Sequence, residues 1–332
     1  MIARALLSSL LLLVAVPAQQ SEPKPVVVKP APQEPKAPDA GKQGAGKQDA
    51  KADAVLAEVQ KQLQQEGITY DATAGTIAVK AVVNQPQDPI EYLLIHRKGK
   101  RHEAIFVTKA KPSVLNAALL MLGLKQGKNA TYVEKNPPPT LEEVQKGADP
   151  LVVTPPQGEP FWMTVRWRVG EDGAPGAGGD KEKAKVVEHC VEDLLFDRTS
   201  GEPVVDCSWI YLGGRLAQLY RDEPEVYVAD FEGNLVSVCY LTPDNHLGTM
   251  VHANARDDQN WWMTKLVPPP ETEVEFVFHR AMPKLHQERL QRLKAKAAEQ
   301  QPAVPGDKPA DKQSEAKEPP KPAGAGTGGG GK

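Results

Sequence analysis

With 332 residues, 40% of them hydrophobic and 25% charged, the chain is longer than one minimal domain, although length alone does not make two. Its formal charge of −3 is close to balance, which excludes the strong positive field of a nucleic-acid binder. Its three cysteines, Cys190, Cys207 and Cys239, form no CxxC pair, zinc-ribbon spacing or iron–sulfur run, so no cofactor and no iron–sulfur cluster is expected.

Met1 to Arg4 is a short basic start, Ala5 to Val16 is an apolar run, and Val16-Pro17-Ala18 resembles a signal-peptidase site. Twelve residues rise about 18 Å as a helix, short of a hydrocarbon core of roughly 30 Å. Residues 1–18 therefore read as a cleaved signal peptide, with no stable membrane span after cleavage. No cysteine follows the run to carry a lipid anchor. The expected location is outside the cytoplasm, periplasmic or extracellular, and loss of Arg4 takes the formal charge to −4. Residues 19–52 and 301–332, rich in Pro, Lys, Ala, Gln and Gly, cannot bury enough apolar surface to offset backbone ordering. They read as two disordered arms around a globular region over 53–283 and a charged helix over 284–300.

Val55, Leu56, Val59 and Leu63 recur at helical spacing, and Gly67 ends that helix. Ile77, Val79, Ala81 and Val83 alternate as a half-buried strand. After the Pro86–Pro89 break, Ile90–His96 and Arg101–Thr108 read as an antiparallel hairpin with its tip at Arg97–Lys100. A bulged turn sets Leu94 opposite His102, whereas a two-residue loop sets it opposite Glu103. The basic residues of the tip read as a solvated turn.

Val114 to Leu122 is almost wholly apolar, and so short a helix that is greasy all round is expected in the core. Thr140-Leu-Glu-Glu143 is a capping box opening a short helix. Phe161, Met163, Val165, Trp167 and Val169 alternate as a strand, and Gly170–Lys183 is a glycine-rich loop without phosphate-binding context. Val186–Glu192, Trp209–Leu212, Tyr227–Tyr240 (turning at Asp230–Gly233) and Val274–His279 complete the strands. The helix from Pro283 to Gln300 has so few apolar positions that it packs by its edge or stands free. Bunched strands with few helices point to an α+β fold, a mainly antiparallel sheet with a buried central helix and a few peripheral ones.

Chemistry-bearing residues are sparse. No G-x-S-x-G elbow exists. Cys190 follows His189, but neighbours on a strand face opposite ways, so the adjacency makes no dyad. His102-Glu103 lacks the second histidine of H-E-x-x-H, since Phe106 stands there. His96 and His102 share a face in the bulged register and are the candidate metal ligands, one short of the three a catalytic zinc site needs. Candidate catalytic groups are His102, Glu103, Asp193, Asp197 and Asp230, with Glu91 at a strand end. Against this, Asp197 and Asp230 each start a Gly-closed turn, where aspartate caps its own backbone. Trp261-Trp262 is the candidate ligand-binding pair, because one ring of two consecutive strand residues could face a sugar or peptide.

Ile90-Glu91-Tyr-Leu-Leu, Gly99-Lys-Arg-His102-Glu103 and Ala117-Ala-Leu-Leu-Met-Leu-Gly123-Leu resemble, in that order, the YdjY-type domain of exported bacterial proteins. Asp193-Leu-Leu-Phe-Asp197, Trp209-Ile-Tyr-Leu-Gly213 and Tyr227-Val-Ala-Asp230-x-x-Gly233 extend the likeness, which covers roughly 76–245. The resemblance implies an exported module of unestablished activity with no agreed catalytic residue. The clustered cysteines behind a ferredoxin-like label for some of its members are missing here. The expected function is a non-enzymatic binding or scaffolding module of the cell envelope, its partner an envelope protein or glycan. The alternative is an envelope hydrolase or metal-dependent enzyme using the His102/Glu103 face.

Overall fold

The computed structural model describes residues 57–84, 89–170 and 184–300. The leader, both arms, most of the Pro86–Pro89 break and the glycine-rich loop lie outside those residues. A first helix, α1, covers 57–65. Seventeen strands follow: β1 Ile68–Asp71, β2 Thr76–Val83, β3 Tyr92–His96, β4 Ala104–Thr108, β5 Thr131–Glu134, β6 Leu151–Thr154, β7 Pro160–Val169, β8 Lys185–Cys190, β9 Leu195–Asp197, β10 Glu202–Pro203, β11 Ser208–Tyr211, β12 Leu216–Ala217, β13 Val226–Tyr227, β14 Asn234–Ser237, β15 Gly248–Val251, β16 Trp261–Met263 and β17 Glu273–His279. Helices α2 (Pro112–Met121), α3 (Leu141–Gln145), α4 (Val228–Glu232) and α5 (Lys284–Gln300) are interspersed.

Eight strands close on themselves in the order β2-β17-β7-β11-β15-β14-β3-β4, with β4 pairing back to β2. The fold is therefore a closed barrel, and the α+β sheet with a buried central helix expected from the sequence is corrected. Periodicity reports which face of a strand is buried, but closure is a pairing between strands far apart in the chain, and no local pattern encodes it. Most pairings are antiparallel, as expected, while β14–β15 and β3–β4 are parallel.

Register assigns the lumen. Residues directly opposite share a face, so Val83 leads to Phe106, Leu94, Val236 and Gly248 around one side of the ring. On the other side Ile77, Val79 and Ala81 face Phe278, Phe276 and Val274, which face Met163, Val165 and Trp167. Phe161 continues this row to Trp209 and Met250. The lumen is thus a packed core: Phe106 meets Phe276 edge-on at 6.0 Å, and Phe276 meets Phe278 at 5.2 Å. The alternation over 161–169 was legible because β7 has one face in this lumen.

Helix α2 is not the central buried element. Pro112, Leu115, Ala118 and Leu119 are buried, whereas Ala117, Leu120 and Met121 lie in solvent. A uniformly apolar sequence carries no marker of which side faces out, so its composition implied burial on every side. The capping box on α3 forms as expected, with Thr140 and Glu143 exchanging side-chain-to-backbone bonds.

The expected hairpin is also corrected, since β3 and β4 run parallel, Tyr92 opposite Ala104 and His96 opposite Thr108. Residues 97–103 retrace the strand through a 3₁₀ turn at Arg101–Glu103. Seven residues reach at most about 25 Å, enough to run back along a five-residue strand of roughly 17 Å. The Asp230–Gly233 turn is in fact α4 with Gly233 as its left-handed cap, φ 79°. Gly233 lies against Gly99, and a Cβ there would stand 2.6 Å from the Gly99 nitrogen. Gly233→Ala should therefore destabilise the fold by more than about 1 kcal/mol, read from the midpoint of denaturant unfolding.

Candidate functional site

The parallel arrangement separates the two candidate metal-ligating histidines. His96 ends β3, buried beside α4, and accepts from the Lys98 N–H at Nδ1. His102 lies at the opposite end of the β3–β4 pair with its side chain 70% exposed. Four residues of strand, about 13 Å, intervene. His102 pairs with Glu103 at 3.2 Å, and Lys100 bridges Glu103 and Glu91 at 3.0 and 2.8 Å. Burial lifts the Glu91 carboxyl above its ordinary value. Burial pushes Glu103 the same way, but the neighbouring Lys100 ammonium holds it below.

The three aspartates go elsewhere. Asp230 accepts from the Ser113 N–H at the start of α2 and pairs with Lys111. Asp197 accepts from Thr199 N–H and the amides of Asn254 and Asn260, fastening the turn after β9 to the segment before β16. Asp193 accepts from Arg289 Nε at 2.6 Å. Among the described residues none of the three shares a hydrogen-bond or ion-pair partner with His102 or Glu103. Trp261 is fully buried, and Arg198 stands 5.9 Å from the Trp262 ring centre. Neither indole is a bare platform.

Two constellations escaped sequence reading. The first lies where α5 docks. His286 and Arg289, one turn apart, are both buried and reach Glu192 and Asp193 on the 3₁₀ turn Val191–Leu194. Glu192 accepts from the lumen residue Trp209 at 2.8 Å and meets His286 Nε2 at 3.0 Å. Cys190, Glu192 and His286 offer ligand atoms within 4.8 Å of one another, all buried. Burial works against a charged Glu192, yet contacts with His286 and Trp209 hold its carboxyl below the ordinary value. The helix thus docks through polar groups, which a search for apolar periodicity passes over. Arg289 also donates to the carbonyls of Val204 and Val205. The second is a polar strip outside the barrel, where the Thr164 hydroxyl lies 2.5 Å from Glu188 and 2.9 Å from His279. Thr164 is wholly buried, so this hydroxyl is not presented to a substrate.

One exposed surface gathers large apolar side chains. Helix α2 packs on α4, α4 on β13, and β13 pairs with β12. Across these elements and the turn they carry, Leu120, Leu216, Tyr220 and Phe231 are 54, 62, 56 and 55% exposed, joined by Met121 and Val226. Tyr220 and Phe231 meet edge-on at 6.4 Å. Arg221, Asp222, Glu223 and Glu225, all exposed, stand beside this patch with both signs of charge. Single exposed apolar residues are ordinary, but a group of six on touching elements is the pattern of an interaction surface.

The family model of the YdjY domain matches residues 68–193. No curated protein and no solved structure matches the chain. The matched stretch takes in β2, β3, β4 and β7, four of the eight barrel strands, and stops short of the Trp209 and Tyr227 motifs.

Proposed function

We propose that this chain, which carries a YdjY domain over 68–193, a family of unestablished function, is an exported cell-envelope protein. In this reading its barrel works as a non-enzymatic docking module for another polypeptide. The observation that carries the reading is the apolar surface of α2, α4 and β12–β13. Its aromatic and methionine content beside a charged margin has the make-up of a protein interface. The mixed signs of Arg221, Asp222, Glu223 and Glu225 suit a protein partner better than an anionic bilayer, which calls for a basic face. Export rests on the leader-like first 18 residues, and no helix among the described residues is long and apolar enough to cross a membrane.

The test places a photo-crosslinking residue at position 120 or 231 of the chain in its host envelope. Adducts with one discrete protein are expected at both positions, and Phe231→Asp should weaken its capture at least tenfold, about 1.4 kcal/mol. An unchanged melting temperature would show that Phe231→Asp acts at the surface alone. Equal capture by the variant, or binding of the purified chain to protein-free vesicles, would overturn the proposal.

A second reading has one observation in its favour. Glu91 and Glu103 have carboxyls displaced in opposite directions around Lys100, as in an acid and base pair. If that pair performs chemistry, Glu103→Gln should abolish hydrolysis of an envelope substrate by the purified chain. Full activity in the variant would end that reading.

A further inference from the structure

We propose that Cys190, Glu192 and His286 form a buried site for a thiophilic divalent ion of zinc's kind. The end of β8 and the 3₁₀ turn that directly follows it supply two donors, and the first turn of α5 supplies the third. Their ligand atoms lie within 4.8 Å of one another, and all three residues are more than nine-tenths buried. Thiolate, carboxylate and imidazole are the three ligand types zinc takes in proteins.

The pair His286 Nε2 and Glu192 Oε2, 3.0 Å apart, is close to the roughly 3.3 Å edge between two ligands of a tetrahedral ion with bonds near 2.05 Å. The ion would take the place of the proton shared there, and the Cys190 thiol would release its own proton to solvent on binding the metal. His286 Nδ1, which points away from an ion held at Nε2, is sealed from solvent without a hydrogen-bond partner among the described residues and adds nothing to the donor set. Trp209 already donates to Glu192 Oε1, which orients the carboxylate as an outer-shell partner would. With the ion in place, α5 is clamped to the barrel by a metal as well as by Arg289.

The full chain, stripped with a chelator and dialysed at neutral pH, would be titrated with Zn²⁺ against a chromophoric competitor. One ion per chain is expected, with affinity at least tenfold weaker in Cys190→Ser and in His286→Gln, and a higher thermal midpoint for the loaded wild type. Co²⁺ in a Cys207→Ala/Cys239→Ala background gives a readout that survives poor folding of those variants. A sulfur-to-cobalt charge-transfer band there can come only from Cys190. No ion bound by the wild type, wild-type affinity in both variants, or a Co²⁺ complex without that band would each overturn the site.

Discussion

Phe276→Ala is expected to lower stability by about 3–5 kcal/mol. The ring is wholly buried and meets Phe106 and Phe278 from neighbouring parts of the lumen. Those partners belong to closed strands that cannot collapse into the space without breaking ladder hydrogen bonds, so the cavity stays open. Such a loss is a large part of the roughly 5–15 kcal/mol that holds a typical domain together. The control is the residue before it on the same strand. Glu275 faces out and pairs with Arg166 at 2.7 Å, both side chains about two-fifths exposed, so Glu275→Ala should change stability by less than about 1 kcal/mol. Urea unfolding of both variants measures the contrast. Similar losses from the two would mean that the lumen assignment is wrong.

Acid should weaken the fold well above the range where carboxylates titrate. His246 is fully buried in the segment between β14 and β15, its Nε2 has no partner among the described residues, and burial pushes it down to about 4. An unfolded histidine titrates near 6.5, so above that pH both states are neutral and nothing is lost. As pH falls from about 6.5 towards 4 the unfolded chain takes up a proton that the folded chain refuses. Stability then drops by up to 1.36 kcal/mol per unit, about 3 kcal/mol in all. Burial also takes His279 to about 4, although Glu188 opposes the shift, and it adds to the loss in the same window. His246→Leu should remove its own share of the loss between pH 6.5 and 4, leaving that of His279, and take an unpartnered nitrogen out of the core. A wild-type profile that is flat over that interval would refute the assignment.

Legibility followed physical range. The alternation of Phe161, Met163, Val165 and Trp167, the capping box at Thr140 and the final strand were all readable, because each is a local pattern tied to one face or one cap. The parallel course of β3 and β4 was not. A glycine between two apolar runs predicts a hairpin, and only the packing of Gly99 against Gly233, far away in the chain, shows why the segment doubles back instead. The α5 cluster was hidden for another reason. His286 and Arg289 sit in a sequence that reads as a solvated charged helix, and their partners Glu192 and Asp193 lie almost a hundred residues earlier. Of the candidate carboxylates, Asp197 behaves as its turn chemistry suggested, holding its own backbone and two asparagines.

The place of β17 between β2 and β7 governs when this molecule can exist at all. It is the last barrel strand in the chain, yet its partners are the first barrel strand and one from the middle, each joined along most of its length. A growing chain therefore has no complete ring until residue 279 has been made. Until then β2 and β7 lack the partner that lies between them, and their apolar faces have only transient cover. Late closure of this kind leaves the polypeptide without its ring for as long as it is being made. It also makes the C-terminal third of the sequence the step that commits the barrel.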